Sequence, residues 1–282
     1  MQNILTILSY NIWFDEAMAI ERTVSLISSI NRLNPDIICL QEVKPDIYDI
    51  LITLLSDYRY HYPKKINKDY GCVTFSKYQI SKCTDYKFPN SKMGRSLIIT
   101  KIEYPYHKVT NDGISVETMS IIIANSHFES LFKRKFENTE KLEQYNMTRD
   151  ILNKLYETTK NVIICSDTNV MLHEESILDN YFDNWHDAWT LKGSNINKYT
   201  YNSETNIYLK IRLKQFACKS RIDRIMFRTD DCTIEEFNMI CATKDGIEPS
   251  AFRRVAQGIG HRCWFATGFS CFYTSGWSSI GA

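Results

Sequence analysis

Short apolar runs that stop abruptly at polar residues recur along this chain. The clearest lies within Asn161–Asn169, where four apolar and mostly β-branched residues precede small and polar ones. A run this short suits a strand buried on both faces better than a core helix. Asp167 and Asn169 stand two positions apart at its C-terminal end, so their side chains leave the strand on the same side. In a layered α/β domain, binding sites form at that end of a strand. A strand closed by an Asx turn is the alternative interpretation.

The N-terminal part of the chain alternates between strand and helix patterns. Ile4 to Tyr10 predicts a strand, and apolar residues at helical spacing predict a helix from Glu16 to about Leu33. Asp36–Leu40 predicts a second buried strand, and Pro45 can begin a helix that continues to about Leu55. This alternation is typical of an α/β layered fold.

The rest of the chain predicts more strands and one long helix. The predicted strands are Gly71–Phe75, Ser96–Tyr104, Met119–Asn125, Thr200–Tyr201, Ile222–Phe227 and Thr233–Met239. The helix extends from Lys133 to Tyr156. No internal repeat or linker-like segment interrupts the pattern, so we predict a single domain over residues 1–282. Its C-terminal segment is atypical from about residue 249, where Lys becomes scarce and Arg, Gly, Ser and Trp become frequent.

Composition limits the classes of protein. The chain has 282 residues with 44% hydrophobic and 24% charged residues, as globular domains do. The net charge of +1 means that any nucleic-acid binding must come from a local patch. Nine cysteines without CxxC or zinc spacing indicate a reducing compartment and no disulfide framework. Because no signal-peptide pattern or membrane-length apolar run is visible, we expect an intracellular protein, nuclear or cytoplasmic, that is not secreted.

Polar residues useful for phosphate chemistry stand at the predicted strand ends. They are Asn11, Glu42, His127, Asp167 and Asp223. Each alone has an ordinary interpretation. Asn11 can be a turn residue, Glu42 a helix cap, His127 a hydrogen-bonded histidine and Asp223 the ion-pair partner of a neighbouring Arg. Together, and in this order on an α/β frame, they indicate one shared site.

The motifs around these residues resemble the endonuclease/exonuclease/phosphatase superfamily. The superfamily motifs are Ser9-Tyr10-Asn11-Ile12, Leu40-Gln41-Glu42-Val43, Ser126-His127-Phe128-Glu129-Ser130, Ser166-Asp167-Thr168-Asn169 and Ile222-Asp223-Arg224-Ile225. Four further stretches resemble its tyrosyl-DNA phosphodiesterase 2-like branch: Met93–Leu97, Asp187–Trp189, Tyr199–Tyr201 and Ala217–Arg228. The resemblance covers roughly residues 4–240.

The resemblance implies a fold and a reaction. The fold is an α/β four-layer sandwich, DNase I-like, with two mixed β-sheets packed face to face and helices on the outside. The reaction is metal-assisted attack of water on a phosphodiester. In the branch, it releases a tyrosine joined to a DNA 5′-phosphate.

The resemblance also assigns roles at the site. Glu42, helped by Asn11, would hold Mg²⁺, with Mn²⁺ as the alternative ion. Asp167 would orient and deprotonate the attacking water. Asn169 and His127 would donate hydrogen bonds to non-bridging phosphate oxygens. Asp223 resembles the family acid that orients a late histidine.

The resemblance implies substrate contacts at a second set of residues. A separate group of basic residues has two interpretations. The set comprises Arg95, Glu129, Ser130, Tyr201 and Arg221. Tyr201 replaces the Trp usual in the branch but can still stack on a base. Basic residues between Lys210 and Arg228, with Lys133-Arg134-Lys135, either track a DNA backbone or form a solvated face.

The C-terminal part departs from the family pattern. The family closes with Ser-Asp-His, which is absent here, and His261 is the only histidine after residue 186. Either His261 replaces the family histidine, since Trp264–Thr267 resembles a closing strand, or the last 30 or so residues are out of frame or substituted.

We therefore predict a monomeric Mg²⁺-dependent phosphodiesterase that acts on DNA ends carrying a 5′-tyrosyl adduct, with no membrane partner. One alternative is another phosphodiesterase of the superfamily, such as an abasic-site endonuclease, an RNA 3′-end nuclease or a phospholipid phosphodiesterase. Another is a catalytically impaired DNA-end-binding protein.

Overall fold

Two six-stranded sheets form the centre of the fold. The computed structural model describes residues 3–16, 19–111, 113–130, 139–195, 198–205, 209, 213, 217–240 and 264–271. The strands are β1 (Ile4–Asn11), β2 (Ile37–Val43), β3 (Tyr60–Tyr62), β4 (Gly71–Ser76), β5 (Ile80–Lys87), β6 (Ser96–Thr110), β7 (Gly113–His127), β8 (Asn161–Asp167), β9 (His186–Asp187), β10 (Tyr201–Asn202), β11 (Lys219–Ser220), β12 (Asp223–Thr229), β13 (Cys232–Ile240) and β14 (Trp264–Cys271). The helices are α1 (Ala19–Leu33), α2 (Pro45–Leu54), α3 (Thr139–Thr159), α4 (Glu175–Tyr181) and α5 (Ala188–Lys192).

Both large sheets are mixed, as predicted. The first has the strand order β13-β14-β1-β2-β4-β3, and the second has the order β5-β6-β7-β8-β12-β9. Within each sheet one central pair is parallel, β1 with β2 and β7 with β8. Because parallel neighbours end at the same edge, each pair brings two C-terminal strand ends together.

The continuous apolar runs arise because each central strand is covered on both faces. Ile7, Cys39 and Ile163 pack in the core between the two sheets, whereas their neighbours Leu8 and Ile164 face the outer helices. Helices α1 and α2 cover the first sheet, and α3 and α4 cover the second. This arrangement confirms the four-layer sandwich.

The element boundaries differ from the predictions in places. Helix α1 begins at Ala19 instead of Glu16, and β6 and β7 extend into a longer hairpin than predicted. The predicted start of the helix at Lys133 lies outside the described residues, and the described helix begins at Thr139. The closing strand predicted at Trp264 is present: β14 pairs with both β1 and β13. His261 lies outside the described residues.

No helix in the described ranges combines the length and the apolar character needed to cross a membrane.

Candidate active site

Four predicted strand-end residues meet at one edge of the sandwich. Asn11 ends β1, Glu42 lies near the end of β2, His127 ends β7 and Asp167 ends β8. In the second sheet His127 and Asp167 are register partners, and Asp223 of β12 is the partner of Asp167 on the other side. The strand ends of both sheets thus place their polar side chains in a single cluster.

The Asn11 amide links the two carboxylates of this cluster. Its Nδ2 donates to Asp167 Oδ2 at 2.8 Å and to Glu42 Oε1 at 3.1 Å. Its Oδ1 accepts from the Trp13 backbone N–H at 2.9 Å, which fixes the orientation of the amide. Asn11 was predicted to help hold the metal. In this structure its nitrogen orients the two carboxylates and its oxygen accepts from the backbone, and the role in holding the metal stays a prediction.

The backbone is strained beside the site. Glu42, Trp13 and Asn169 have φ angles of 59°, 62° and 50°, in the left-handed region that non-glycine residues avoid. The β2–β4 register shifts between Leu40 and Val43, which redirects Glu42 at the strand end. Each strained residue costs about 1–3 kcal/mol, and such strain concentrates at functional sites. Asparagine tolerates this region, so the strain beside the cluster lies at Glu42 and Trp13.

His127 has one tautomer that satisfies its neighbours. Its Nδ1 lies 2.7 Å from Nη1 of Arg95, a guanidinium that can only donate. The Nδ1 must therefore accept, and the neutral ring carries its proton on Nε2. That Nε2 lies 3.6 Å from Asp167 Oδ2, beyond a direct hydrogen bond, and faces the cluster.

Asp167 and Asn169 lie side by side, as their spacing predicts. The Asn169 backbone N–H donates to Asp167 Oδ1 at 3.0 Å, and its side-chain Nδ2 donates to the Phe128 carbonyl at 2.9 Å. Thr168 secures the turn by donating from its hydroxyl and its backbone N–H to the Ile222 carbonyl. The turn after β8 is therefore fixed to the start of β12, where Asp223 is buried next to Asp167.

The cluster fits a divalent cation. Ligand atoms of Glu42, His127 and Asp167 all lie within 4.8 Å of one another, and all three residues are buried. Two buried carboxylates at this separation need compensating positive charge. Mg²⁺ commonly takes one or two carboxylates and keeps several waters, which matches this donor set.

The wall next to the cluster is aromatic and cationic. Arg95 lies over the Tyr70 ring, 5.2 Å from its centroid, and Phe14 stacks on the other flank of Tyr70 with centroids 4.6 Å apart. Burial raises the pKa of the Tyr70 phenol, which Arg95 opposes, and burial raises the pKa of the Cys72 thiol to about 12. Both groups are therefore neutral near pH 7.

An open groove leads away from this wall. A pocket of about 310 Å³ contains Glu42, Arg95 and His127, and it joins a depression of about 750 Å³ through their common residues Lys68 and Tyr70. Four lysines and one acid line the larger depression: Lys64, Lys65, Lys68, Lys87 and Asp85. We call this depression the lysine groove.

The predicted substrate residues fall into two groups. Arg95 lies in the pocket, and Ser130 lies beside it, with its hydroxyl 3.6 Å from the sulfur of Met93. Tyr201 lies in β10, which pairs with β11 just before β12, and it is not among the residues that line the pocket. Glu129 and Arg221 are buried and already bonded to protein groups, so their positions do not support direct substrate contact.

Within the described part of the basic stretch before β13, the cationic side chains are already paired or stacked. Arg221 and Arg224 both pair with Asp187, and Arg221 also stacks on Trp189. Lys219 pairs with Glu204 at 2.6 Å. Arg228 packs 3.9 Å from the Tyr156 ring centroid. Lys210, Arg212, Lys214 and Lys133-Arg134-Lys135 lie outside the described residues.

Residues that the sequence patterns did not single out also shape the site. Lys68 and Tyr70 line the pocket, and Gln144 of α3 contacts Glu129. Gln41 lies within one motif and Asn125 directly precedes another, and they join the two sheets through a hydrogen bond of 2.9 Å. Of these residues, only Gln41 and Asn125 could have been found from the sequence, because both stand at the ends of predicted strands.

Comparison with known proteins yields a family and a fold. The model of the Endonuclease/Exonuclease/phosphatase family matches residues 8–236. Tyrosyl-DNA phosphodiesterase 2 of Rattus norvegicus is 28% identical over 220 residues, which are 75% of this chain and 53% of that protein. The Bos taurus protein of the same name is 27% identical over 236 residues, 80% of this chain and 58% of that protein. The chain thus spans about half the length of these curated relatives.

Solved structures share the fold. Truncated TDP2 of Caenorhabditis elegans superposes with a TM-score of 0.72 at 20% identity, covering 95% of this chain and 98% of that one. D. rerio TDP2 complexed with single strand DNA product gives a TM-score of 0.73 at 20% identity, covering 94% and 98%. The human Nocturnin catalytic domain with bound sulfate gives 0.64 at 18% identity, covering 95% and 94%.

Proposed function

The chain belongs to the endonuclease/exonuclease/phosphatase family, and we propose that it is a Mg²⁺-dependent phosphodiesterase that releases tyrosine from the 5′-phosphate of DNA. The observation that carries the proposal is the buried cluster of Asn11, Glu42, His127 and Asp167 at one sandwich edge. Relatives named tyrosyl-DNA phosphodiesterase 2, at 28% and 27% identity, support the tyrosyl-DNA substrate.

The metal belongs at the carboxylates. Glu42 would hold it, with Asp167 within reach of the same ion, whereas the free lone pair of the His127 ring already accepts from Arg95. A bound Mg²⁺ would neutralise charge on a phosphate oxygen and on the departing phenolate. Asn11 keeps both carboxylates oriented toward that position, because it donates to each of them.

The remaining catalytic roles follow from the hydrogen-bonding groups of Asp167 and His127. Asn11 and the Asn169 backbone donate to Asp167 and orient its carboxylate, which would accept the proton of an attacking water. His127 presents its Nε2–H toward a non-bridging phosphate oxygen. Such a donor gains strength in the transition state, when that oxygen gains charge.

The surroundings suit a charged and partly aromatic substrate. Arg95 and Tyr70 form a cationic, aromatic wall beside the cluster, and exposed lysines of the lysine groove add positive charge near it. A polyanion and a phenol ring both find complementary chemistry there. We further propose that the protein acts as a monomer inside the cell and that residues 1–282 form one domain.

Single-turnover cleavage of a 5′-tyrosyl oligonucleotide with Mg²⁺ tests the function. Asp167→Asn should reduce the rate by about 10²–10⁴. Glu143→Gln, a change of a carboxylate that only bonds Asn90 at the surface, is the matched control and should leave the rate unchanged. His261→Ala tests in the same assay whether that residue has taken the role of the family histidine.

Two outcomes would reject the proposal. A folded native chain that cleaves an abasic-site duplex or a phospholipid headgroup but not the tyrosyl oligonucleotide is another phosphodiesterase of the family. A folded chain that binds DNA ends without Mg²⁺ and without turnover is a binding protein.

A further inference from the structure

The carboxylate of Glu129 is fully buried and has four hydrogen-bond donors. Its Oε1 accepts from the backbone N–H groups of Lys92 and Met93, both at 2.9 Å. Its Oε2 accepts from the Ser91 hydroxyl at 2.7 Å and from Gln144 Nε2 at 3.0 Å. A buried charge with this many donors is held firmly, and it holds its donors in turn.

Gln144 completes a reciprocal pair with Glu129. While its Nε2 donates to the carboxylate, its Oε1 accepts from the Glu129 backbone N–H at 2.9 Å. Both side chains are fully buried. The segment after β7 is thereby joined to α3 and to the loop that contains Ser91, Lys92 and Met93.

That loop determines where Arg95 lies. The Ser91 hydroxyl, which donates to Glu129, accepts from the Arg95 backbone N–H at 2.7 Å. The Arg95 guanidinium then reaches His127 Nδ1 at 2.7 Å. An unbroken series of hydrogen bonds therefore connects Gln144, Glu129, Ser91, Arg95 and His127.

We propose that Glu129 is a positioning residue: it holds Arg95 on His127, so that the Nε2–H of His127 faces the reacting phosphate. The inference rests on the proposed function for its catalytic consequence, but the placement of Arg95 can be measured without turnover. Glu129 touches no substrate in this assignment. Its effect reaches the site through Ser91 and Arg95, and through Met93, whose backbone N–H donates to Glu129 and whose sulfur contacts Arg95.

A swap of two side chains tests the proposal. In Glu129→Gln the new amide N–H₂ faces the Gln144 amide N–H₂, so donors oppose donors at the contact with α3. In Glu129→Gln/Gln144→Glu one amide N–H instead donates to the new carboxylate, whose second oxygen still accepts the backbone N–H of residue 129. The other amide N–H can donate to the Ser91 hydroxyl, which has a second acceptor site beside the one used by Arg95. We expect the single variant to lose about 10–100-fold in kcat with little change in KM. The double variant should recover most of that loss.

Arg95 provides the readout that does not depend on turnover. In the native chain its guanidinium N–H signals in ¹⁵N spectra should be sharp and shifted by the bond to His127; Arg95→Lys assigns them. Glu129→Gln should broaden or shift these signals, and the double variant should restore them, whether or not tyrosine is released. Inactivity of the native chain with this NMR pattern intact would reject the proposed function alone.

Two results would overturn the positioning role. A rise in KM at constant kcat, without rescue by the swap, would make Glu129 a substrate ligand. Unchanged Arg95 signals in a folded Glu129→Gln variant would show that the hydrogen-bond series does not position the guanidinium.

Discussion

Replacing Asn11 with alanine tests how the site cluster is held together. The Asn11 amide donates to Glu42 and Asp167, which are 5% and 0% exposed, so water cannot readily replace it at either carboxylate. A hydrogen bond to a charged group contributes about 1.5–3 kcal/mol. Two such bonds amount to about 3–6 kcal/mol, and a water entering the vacated space would restore part of this. We therefore expect Asn11→Ala to lower the free energy of unfolding by about 3 kcal/mol.

Urea unfolding in EDTA measures this loss without a contribution from bound metal. The matched control is Asn3→Ala, because Asn3 also makes two hydrogen bonds, both of 2.8 Å, but to the exposed backbone of His107. Solvent can replace those bonds, so we expect about 1 kcal/mol or less. Equal losses in the two variants would refute the argument that burial of the paired carboxylates makes Asn11 important.

Three further predictions concern metal, charge and pH. Mg²⁺ added to the EDTA-treated native chain should raise its Tm, because the ion binds selectively to the folded state. Glu42→Gln should abolish this rise. An equal rise in Tm for the native chain and the variant would mean that the ion binds elsewhere. Lys64→Glu/Lys65→Glu should weaken binding of a single-stranded oligonucleotide and flatten its salt dependence, whereas Lys154→Glu on α3 should do neither. Burial, aided by Lys64, lowers the pKa of His61, so the unfolded chain takes up this proton first as the pH falls below about 6.5. The free energy of unfolding should thus fall between pH 7.5 and pH 5.5, and His61→Gln should reduce that fall; identical pH dependence would contradict the assignment.

The sequence predicted the central strands well because burial on both faces leaves an unambiguous apolar run. Ile37–Leu40 and Val162–Cys165 contact the opposite sheet with one face and helices with the other. Edge strand β5 was missed because all eight of its residues are partly or fully exposed to solvent. The alternation of apolar and polar residues that marks a half-buried strand is therefore weak there. The long β6–β7 hairpin was underestimated for the same reason, since its outer half is largely exposed.

The site was predictable as far as it depends on strand ends. Asn11, Glu42, His127 and Asp167 meet because parallel strands end at a common edge. The contacts of Glu129 and Arg221 were not predictable, because their partners lie on other elements of the chain: Gln144 for Glu129, and Asp187 for Arg221. Charge counted along the chain cannot show which cations are already paired after folding.

The atypical C-terminal segment contains a strand that lies between two other strands of the first sheet. Thr267 of β14 is the register partner of Ile7 in β1 and of Phe237 in β13, so its backbone lies in the interior of the first sheet. Proline there removes a ladder N–H and is not accommodated in a central strand. We expect Thr267→Pro to abolish soluble, cooperatively melting protein.

Ser81→Pro is the control for this substitution, because Ser81 lies at a register irregularity of the edge strand β5, where proline is tolerated. Thermal melts of the two purified variants compare the positions directly. A Thr267→Pro variant that melts like the native chain would mean that β14 does not support β1. If β14 does support β1, it also supports Asn11, since the same strand continues from the β14 partners Ile4–Ser9 to the site. The C-terminal segment would then affect the candidate active site through β1, whatever the role of His261.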